Sequence, residues 1–377
     1  MSPQTTKKGF IDSVALLIRA GRYSEAVKEL TRALELAPGD SDLLWHRSVA
    51  LAQLGDLDGA LADLYPLLRA EPKNLEVRNQ IRYVHRKVVP EWHFDMMHDT
   101  ERNQAFEGAL KSRVTRDSIV LEIGTGSGLL AMMAARAGAR HVFTCERTGP
   151  VRNAAIEIIR RNGLADKITV LPLWSTEVQI PRDLPERVDI LLGELFGPAL
   201  LEEQALYFFD DARRRLLKPN GTVIPLRAAV YGAMIESAAI QQRSSVGIVS
   251  GFDLSLFNGL RDDPGMQLLV EQYPHRILSK PFLLREISFQ EVSEPIREGE
   301  VRVAAIESGV CHGIVQWFEL FTDETHLVNT APMKARTHWD QYVQIFQRPV
   351  TVQKGKEISF VLRQFSDRFS LTPRMEG

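Results

Sequence analysis

The sequence predicts an α/β protein built of three parts: a helical repeat module, a doubly wound parallel sheet and a β-rich, barrel-like C-terminal domain. Three observations lead to this prediction. Residues recur at a fixed period near the N-terminus, strands and helices then alternate around a glycine loop, and strands dominate after Pro225. A chain of 377 residues is long enough for two or three domains. We expect them at 1–90, 91–225 and 226–377.

Composition narrows the classes of partner. Lys and Arg number 46 against 48 Asp and Glu, a net charge of -2, which excludes the broadly basic surface typical of nucleic-acid binders. No apolar run approaches the ~20 residues that span a bilayer. The two cysteines, Cys145 and Cys311, are too few and too far apart for a disulfide framework or a zinc site. We therefore predict no nucleic-acid or membrane partner, no metal, and a cytoplasmic location.

The first ninety residues carry an internal repeat. Glycine, alanine and proline positions recur 34 residues later: Gly21 and Gly55, Ala26 and Ala60, Pro38 and Pro72. This is the period of tetratricopeptide (TPR) repeats, in which small residues let paired helices approach and prolines stop the second helix. We predict repeats at about 7–38 and 41–72 and a further helix at 74–88. The module is either structural or a groove for a peptide partner, and the sequence does not decide between them.

A glycine loop follows the first predicted strand of the second part. The β-branched run 118–123 precedes Gly124, Gly126 and Gly128, and an Ala/Leu/Met-rich helix follows at about 129–138. This succession is typical of a mononucleotide-binding unit, because glycine lets the backbone approach a ligand closely.

The neighbours of the loop favour S-adenosylmethionine (AdoMet) as the cofactor. Glu146, at the end of the second strand, can accept hydrogen bonds from ribose hydroxyls. Glu122, two residues before the first glycine, can face a cationic amino-acid end but would repel a pyrophosphate. The spacing is Gly-x-Gly-x-Gly, and the next helix begins with bulky Leu129 and Leu130 where a dinucleotide site needs a small residue. An NAD-dependent dehydrogenase is the less favoured alternative.

The remaining elements follow in order. Helices are predicted at 149–163 and about 199–216, strands at 168–171 and 188–192, and 218–221 is read as a turn into the next strand. Beyond Pro225 six strands are predicted, at 227–235, 282–290, 300–306, 313–321, 341–351 and 357–364.

Two glutamates follow the fourth strand of the sheet. Ligands of an open α/β sheet lie beyond the carboxyl ends of its strands, so Glu194 should lie where a substrate meets the cofactor. Gly197 and Pro198 can turn the chain so that Glu203 converges with Glu194. Two converging carboxylates clamp a planar guanidinium and can aim one nitrogen at a methyl donor. The alternative is that Glu202 and Glu203 only begin a helix, where acids suit the dipole.

Four motifs in the same order make this chain resemble the protein arginine methyltransferases (PRMTs). The two glutamates look like the double-glutamate loop of that family, and 337–339 (Thr-His-Trp) looks like its Thr-His-Trp loop. Residues 120–128 match its first cofactor motif. Residues 93–103 are similar to the helix before the sheet, especially in the branch that includes members with N-terminal TPRs.

The resemblance implies roles for the site residues. Glu194 and Glu203 would hold the substrate guanidinium, and Trp339 would contact the substrate, although a tryptophan there is more often part of the core. His338 could pair with Asp99 to help remove a proton or to position its loop. The catalytic set is thus Glu194, Glu203 and His338.

The resemblance also implies a cofactor site. Arg102 would bind the AdoMet carboxylate and His93 would lie near the cofactor, while Ser175, Thr176 and Glu177 stand where many relatives have two acids beside adenine. The expected cofactor-binding residues are His93, Arg102, Glu122, Gly124, Gly126, Gly128, Glu146, Ser175 and Thr176. At Gln204 and Ala205 the sequence departs from the methionine of some asymmetric dimethylating members, so the degree of methylation is left open.

A long segment at about 237–280 interrupts the predicted strands. In PRMTs this position holds a helical arm that docks on the partner's cofactor domain, and 251–255 looks similar to part of it. The resemblance therefore implies a homodimer, with a local insertion as the alternative. The implied activity is AdoMet-dependent N-methylation of arginine, either protein-bound or free. A non-catalytic TPR scaffold with a decayed methyltransferase domain is the second class of function.

Overall fold

The structure, a computed structural model, describes residues 3–260, 265–291, 298–334 and 336–374. Two compact units divide the chain: Met1–His93 with Thr148–Ala154, and Phe94–Arg147 with Ala155–Gly377. Within the described ranges we find no helix that combines the length and the apolar character needed to cross a membrane.

Five helices make up most of the first unit: α1 (Pro3–Arg19), α2 (Tyr23–Leu36), α3 (Ser41–Leu54), α4 (Leu57–Ala70) and α5 (Leu75–Val88). Ala26 and Ala60, one repeat apart, are fully buried, as close helix packing requires. Gly55 ends α3 in the left-handed conformation (φ of 84°), which glycine adopts at little cost. The Asp40 and Asn74 side chains accept backbone N–H groups at the starts of α3 and α5. The predicted TPR helices are confirmed.

A parallel five-stranded sheet follows in the order β3-β2-β1-β4-β5. The alternating elements are α6 (Trp92–His98), α7 (Thr100–Arg113), β1 (Ile119–Ile123), α8 (Leu129–Arg136), β2 (His141–Cys145), α9 (Gly149–Arg161), β3 (Ile168–Leu171), β4 (Val188–Gly193), α10 (Ala205–Leu216) and β5 (Leu217–Ile224). The strand order reverses between β1 and β4, which pair in register from Val120↔Ile190 to Ile123↔Gly193. The carboxyl ends of these two strands form the switch point where ligands bind in such sheets.

Two predictions for the sheet are corrected. The helix expected from about 199 begins only at Ala205, and the turn expected at 218–221 lies inside β5. Pro219 and Gly221 suggest a turn, but β5 is an edge strand, where proline is tolerated. The Gln290 side chain accepts the Val223 N–H at 2.8 Å and donates to the Gly221 carbonyl at 2.9 Å, which satisfies the open edge.

The C-terminal part is β-rich, as predicted. Its elements are β6 (Arg227–Glu236), α11 (Ala238–Ser244), β7 (Ile248–Val249), β8 (Phe252–Asp253), β9 (Gly265–Leu268), β10 (Arg276–Ile277), β11 (Phe282–Ser288), β12 (Gly299–Ala304), β13 (Gly309–Phe321), β14 (Leu327–Asn329), β15 (Gln341–Val352), β16 (Glu357–Gln364) and β17 (Phe369–Pro373). One antiparallel sheet runs β10-β6-β13-β15-β9, with β11 on β6 and β14 on β13, and a second runs β12-β16-β17. The short strands and β17 were not predicted.

The segment expected to form a helical arm has little helix. It contains α11, the β7–β8 hairpin and a 3-10 turn at Ser255–Leu260, after which β9 and β10 rejoin the large sheet. Residues 261–264 of this segment lie outside the described residues. The segment at about 237–280 is therefore built mostly of hairpin and turns.

Candidate active site

The glycine loop after β1 adopts a conformation that side chains rarely allow. Gly124, Gly126 and Gly128 have φ of 81°, 51° and 82°. A Cβ atom on Gly124 would lie 3.3 Å from Leu195, whereas one on Gly126 would meet nothing within 4 Å. The Gly126 N–H donates to Oε2 of Glu146 at 3.3 Å. The loop thus leaves open space at Gly126 and is bonded to the acid predicted to bind ribose.

Glu122 lies in a buried hydrogen-bond network beneath the glycine loop. It is buried, and its Oε2 accepts the Thr144 hydroxyl at 2.5 Å, which in turn lies 2.7 Å from the Thr125 hydroxyl. Burial raises the pKa of Glu122 to about 8, against the hydrogen bond from Thr144 and the charge of Arg102. At neutral pH the carboxyl is mainly protonated, because removal from water disfavours its charged form. Its contact with the cationic amino-acid end of AdoMet, whose charge would favour the ionised carboxylate, stays a prediction.

The predicted adenine contact is a single 3-10 turn, Ser175–Glu177. Ser175 is 2% exposed, and its Oγ has no hydrogen-bond partner among the described residues. A buried hydroxyl without a partner is costly, so this atom fits a site completed by a ligand. Thr176 is half-buried, while Glu177 accepts the Trp174 N–H at 2.9 Å and so caps its own turn.

A buried ion pair joins α7 to the loop after β4. Arg102 donates from Nε and Nη2 to Oε2 of Glu194, at 2.9 and 2.6 Å, and both side chains are 5% exposed. Nη1 of Arg102 donates to Asn103 at 2.8 Å. Oε1 of Glu194 has no hydrogen-bond partner in the described parts of the chain. The sequence predicted both residues for the site but not this pair.

The loop between β4 and α10 is not a helix start. Glu202 turns back to accept the Ala199 N–H at 3.0 Å, and Leu200 and Gln204 have positive φ of 68° and 57°. Because Gln204 is left-handed, α10 begins only at Ala205. Glu202 and Glu203 therefore lie just before α10 rather than in its first turn.

Glu203 has an exposed surface, yet its carboxyl is crowded by protein. Desolvation, followed by the negative charges of Glu194 and Glu202, raises its pKa to about 7. The negative charge of Glu194 thus contributes to the raised pKa of Glu203, while the convergence of both carboxylates on one cation stays a prediction.

The Asp99 side chain caps α7 and also binds the Thr-His-Trp loop. Its Oδ1 accepts the Arg102 N–H at 3.0 Å, and its Oδ2 lies 2.9 Å from Nδ1 of His338 and accepts the His338 N–H at 2.8 Å. Burial alone would raise the pKa of Asp99, but these hydrogen bonds outweigh it and hold the pKa below its ordinary value. The expected pairing of His338 with Asp99 is observed.

Trp339 lies in the core. It is 2% exposed, its ring meets Phe318 edge-on at 5.2 Å between centroids, and its Nε1 donates to the Phe196 carbonyl at 2.5 Å. Because the side chain has almost no free surface, the structure assigns it to packing between the two loops, and its predicted contact with substrate is corrected. His93 belongs to the first unit, where its ring stacks on Trp92 at 3.8 Å between centroids, and its place near the cofactor stays a prediction.

The second unit thus combines a glycine loop, an unpartnered buried hydroxyl and two loops that meet at the sheet's switch point. These features fit AdoMet, which would be held at the open space beside Gly126, by Glu146 and by the Ser175 hydroxyl.

Within the described ranges, no group of three or more His, Cys, Asp and Glu residues could hold a metal ion.

Three family models match successive parts of the chain. A tetratricopeptide repeat model matches residues 17–80, a ribosomal protein L11 methyltransferase (PrmA) model matches 103–225, and the arginine methyltransferase oligomerization subdomain matches 226–370. The last two matches meet at the boundary predicted between the second and third parts of the chain.

Relatives and solved structures agree with these matches. Arginine N(omega)-methyltransferase of Streptomyces achromogenes subsp. streptozoticus is 34% identical over 297 residues, which cover 78% of this chain and 82% of that protein. Protein arginine N-methyltransferase 9 of Xenopus laevis is 30% identical over 83% of this chain and only 42% of its own length. The Trypanosoma brucei PRMT1 enzyme-prozyme heterotetrameric complex with AdoHcy has a TM-score of 0.67 at 26% identity, covering 78% of this chain and 95% of that one.

The order of modules, the paired loops around the switch point and the similarity to curated arginine methyltransferases all agree. This chain belongs to the protein arginine methyltransferase family.

Proposed function

We propose that this protein transfers a methyl group from AdoMet to a guanidino nitrogen of arginine. The observation that carries the proposal is the pair of glutamates beyond β4. Glu194 is buried and held by Arg102 with one oxygen unused, and Glu203 is exposed nearby. A guanidinium that enters from solvent can first meet the exposed Glu203 carboxylate and then bind the buried Glu194 carboxylate with its innermost nitrogens.

AdoMet is the cofactor that the site and the relatives support. The T. brucei neighbour contains AdoHcy, which is AdoMet after loss of its methyl group. When bound, AdoMet supplies an electrophilic methyl group on a sulfonium. The residues proposed to hold it are the glycine loop, Glu146 at the ribose, Arg102 at the carboxylate and Ser175 with Thr176 at adenine.

The chain's own residues orient the substrate and manage its charge. The free guanidinium has a pKa above ~12 and a delocalised lone pair, so it is a weak nucleophile. Oε1 of Glu194 and the Glu203 carboxylate hold two of its nitrogens, which leaves the third richer in electrons. Nδ1 of His338 lies 2.9 Å from Oδ2 of Asp99, which leaves Nε2 as the ring nitrogen that would exchange a proton with the substrate.

Protein-bound arginine and free L-arginine are both proposed substrates, because the two glutamates recognise only the guanidinium. The Streptomyces relative is named for arginine itself and the Xenopus relative for protein arginine. Incubation with labelled AdoMet, followed by mass spectrometry, would identify which of free arginine and arginine-rich peptides becomes methylated.

Replacement of a clamp glutamate tests the mechanism. We expect Glu194→Gln and Glu203→Gln each to lower kcat/KM about 10²–10³-fold on the preferred substrate, because a neutral amide cannot stabilise the cation. Glu186→Gln is the matched control, since Glu186 stands before the other end of β4 and pairs with exposed Arg140 and half-buried Lys218. Full activity in Glu194→Gln, with AdoMet binding intact, would contradict the proposed clamp.

The oligomeric state is proposed as a homodimer. The C-terminal part matches an oligomerization subdomain, and the T. brucei neighbour is a heterotetrameric complex. We assign the contact to one part of the segment 237–280, residues 245–260, which we call the arm and most of whose apolar side chains are exposed to solvent. A cytoplasmic location is proposed with it, to be tested by fractionation.

A further inference from the structure

We propose that Arg215 is a positioning residue that holds the adenine end of the cofactor site, an inference that rests on the proposed function. Arg215 lies in the last turn of α10. Its Nη1 donates to the Val178 carbonyl at 2.8 Å, and its Nη2 donates to the Ser175 carbonyl at 2.9 Å. One guanidinium therefore bridges both ends of the 3-10 turn Ser175–Glu177.

Asp211, in the same helix, holds the Arg215 guanidinium in place. Asp211, one turn earlier in α10, accepts Nε at 2.8 Å through Oδ1 and Nη2 at 2.5 Å through Oδ2. A two-point contact between a planar guanidinium and a carboxylate sets both position and angle. Arg215 is therefore oriented toward the turn by the protein alone, before any ligand is present.

The turn is also held by the fully buried Val178 side chain and by Nη2 of Arg182, which donates to the Glu177 carbonyl at 3.0 Å, but among the described residues Arg215 alone ties it by hydrogen bonds to another helix. Within the turn, the Val178 N–H to Ser175 carbonyl bond is long, at 3.3 Å, and the Glu177 side chain caps the same short turn rather than reaching another element. The Ser175 hydroxyl is buried and has no hydrogen-bond partner among the described residues. Whether it can form a hydrogen bond to a ligand therefore depends on the position of the turn. Removal of Arg215 should thus let the turn, and this hydroxyl, move.

The same helix connects the two halves of the proposed site. The α10 helix begins two residues after Glu203 and ends with the residues that hold the adenine turn. Arg215 lies at the C-terminal end of α10, whereas Glu203 precedes its N-terminal end. We therefore expect the loss of Arg215 to weaken cofactor binding more than it slows methyl transfer.

The test compares Arg215→Gln with Arg215→Lys and a neighbouring control. Arg214→Gln is that control, because Arg214 is exposed, pairs with Asp210 and makes none of the contacts to the turn. By calorimetry we expect the Kd for AdoHcy to rise about 10-fold in Arg215→Gln, less in Arg215→Lys, and to stay unchanged in Arg214→Gln. In turnover, the KM for AdoMet should rise while kcat changes less than about twofold.

Two further readouts separate this role from general destabilisation. The affinity ratio between AdoHcy and S-inosylhomocysteine, which differ only in the base, should fall in Arg215→Gln. Without any ligand, hydrogen exchange of the amides at 175–178 should accelerate about 10-fold in that variant and not in Arg214→Gln. A wild-type protein that binds AdoHcy but methylates no arginine would refute the proposed function alone. Unchanged affinity and exchange in Arg215→Gln would overturn the role of Arg215.

Discussion

Glu203 is exposed to solvent and yet has a pKa of about 7, which makes the proposed clamp sensitive to pH. Only the ionised carboxylate can neutralise a guanidinium, and the group is half protonated near neutrality. We expect kcat/KM for arginine to rise between pH 6 and 8 with a midpoint near 7, and to fall about tenfold per pH unit below it. The measurement is a kcat/KM profile in buffers of constant ionic strength.

The variant Glu202→Gln provides the control for this assignment. The charge of Glu202 is one cause of the raised pKa of Glu203, so its removal should shift the midpoint to lower pH. The effect of pH on the free energy of unfolding has the opposite sign to its effect on kcat/KM. A carboxyl whose pKa is raised in the folded state stabilises the fold when protonated, and that contribution is lost as pH rises through 7. A flat profile, or a midpoint unmoved in Glu202→Gln, would show that another group controls the rate.

At the residue scale the sequence led to the contact between His338 and Asp99 but not to the ion pair between Arg102 and Glu194. The position of Glu194 after the fourth strand predicted its place at the switch point, whereas the roles of Arg102 and His338 came from the resemblance to the PRMTs. The sequence could not show that Arg102 binds Glu194, because the two are 92 positions apart and a cation there could equally serve a ligand. It also could not show that burial raises the pKa of Glu122, since burial depends on neighbours from several elements.

At the scale of elements, the turn between β13 and β14 forms hydrogen bonds to α7, the helix that has Arg102 in its first turn. Thr322 donates to the Ala105 carbonyl at 2.9 Å, and Asp323 accepts the Ser112 hydroxyl at 2.8 Å. The ring of His326, itself 3.0 Å from the Asp323 carboxylate, lies so close to Gly108 that a Cβ atom there would overlap it. The site therefore depends on a turn that contains none of its predicted residues.

Substitution of Gly108 tests this contact. Alanine favours a helix interior by roughly 1 kcal/mol over glycine, so without the ring Gly108→Ala should stabilise the protein. With His326 in place we expect the opposite, a loss of about 1–3 kcal/mol in the free energy of unfolding, measured by urea titration. The double variant Gly108→Ala/His326→Ala should recover most of the loss caused by overlap. If Gly108→Ala alone is as stable as the wild type, the His326 ring does not pack tightly against α7 at Gly108.

Element boundaries were predictable where periodicity was clean and failed where tertiary burial overrode it. The TPR helices and the six long strands follow their patterns closely. Ala199, Leu200 and Leu201 look helical in sequence, but they are buried as an irregular loop that precedes α10. Local propensity cannot predict this outcome, because the loop conformation depends on Leu200 and Gln204 in the left-handed region.

At the scale of the whole molecule, three predicted parts become two compact units, because the α/β sheet and the β-rich part share one core. Phe289 from the β-rich part lies 5.3 Å from Phe196 and 5.2 Å from Phe209, between ring centroids. The sequence showed a change of pattern at Pro225, which is a change of secondary structure. Such a change does not reveal whether two neighbouring parts pack as one.

The arm is the feature that bears on assembly. Ile248, Leu256 and Phe257 are 77%, 93% and 70% exposed, and apolar side chains clustered in this way usually mark an interaction site. We expect the wild type to be a dimer by light scattering at micromolar concentration. The variant Ile248→Ser/Leu256→Ser/Phe257→Ser should be a monomer, because it removes apolar surface that only a partner would cover.

Leu36→Ser is the matched control, since Leu36 is 91% exposed in α2 of the TPR unit and lies outside the arm. This variant should remain dimeric, which separates the arm from exposed leucines in general. If assembly completes the site, the monomeric variant should also lose most of its methyl transfer while keeping its far-UV circular dichroism. A wild type that is monomeric, or a triple variant that still dimerises, would refute the arm as the interface. Loss of dimer without loss of activity would show instead that each subunit works alone.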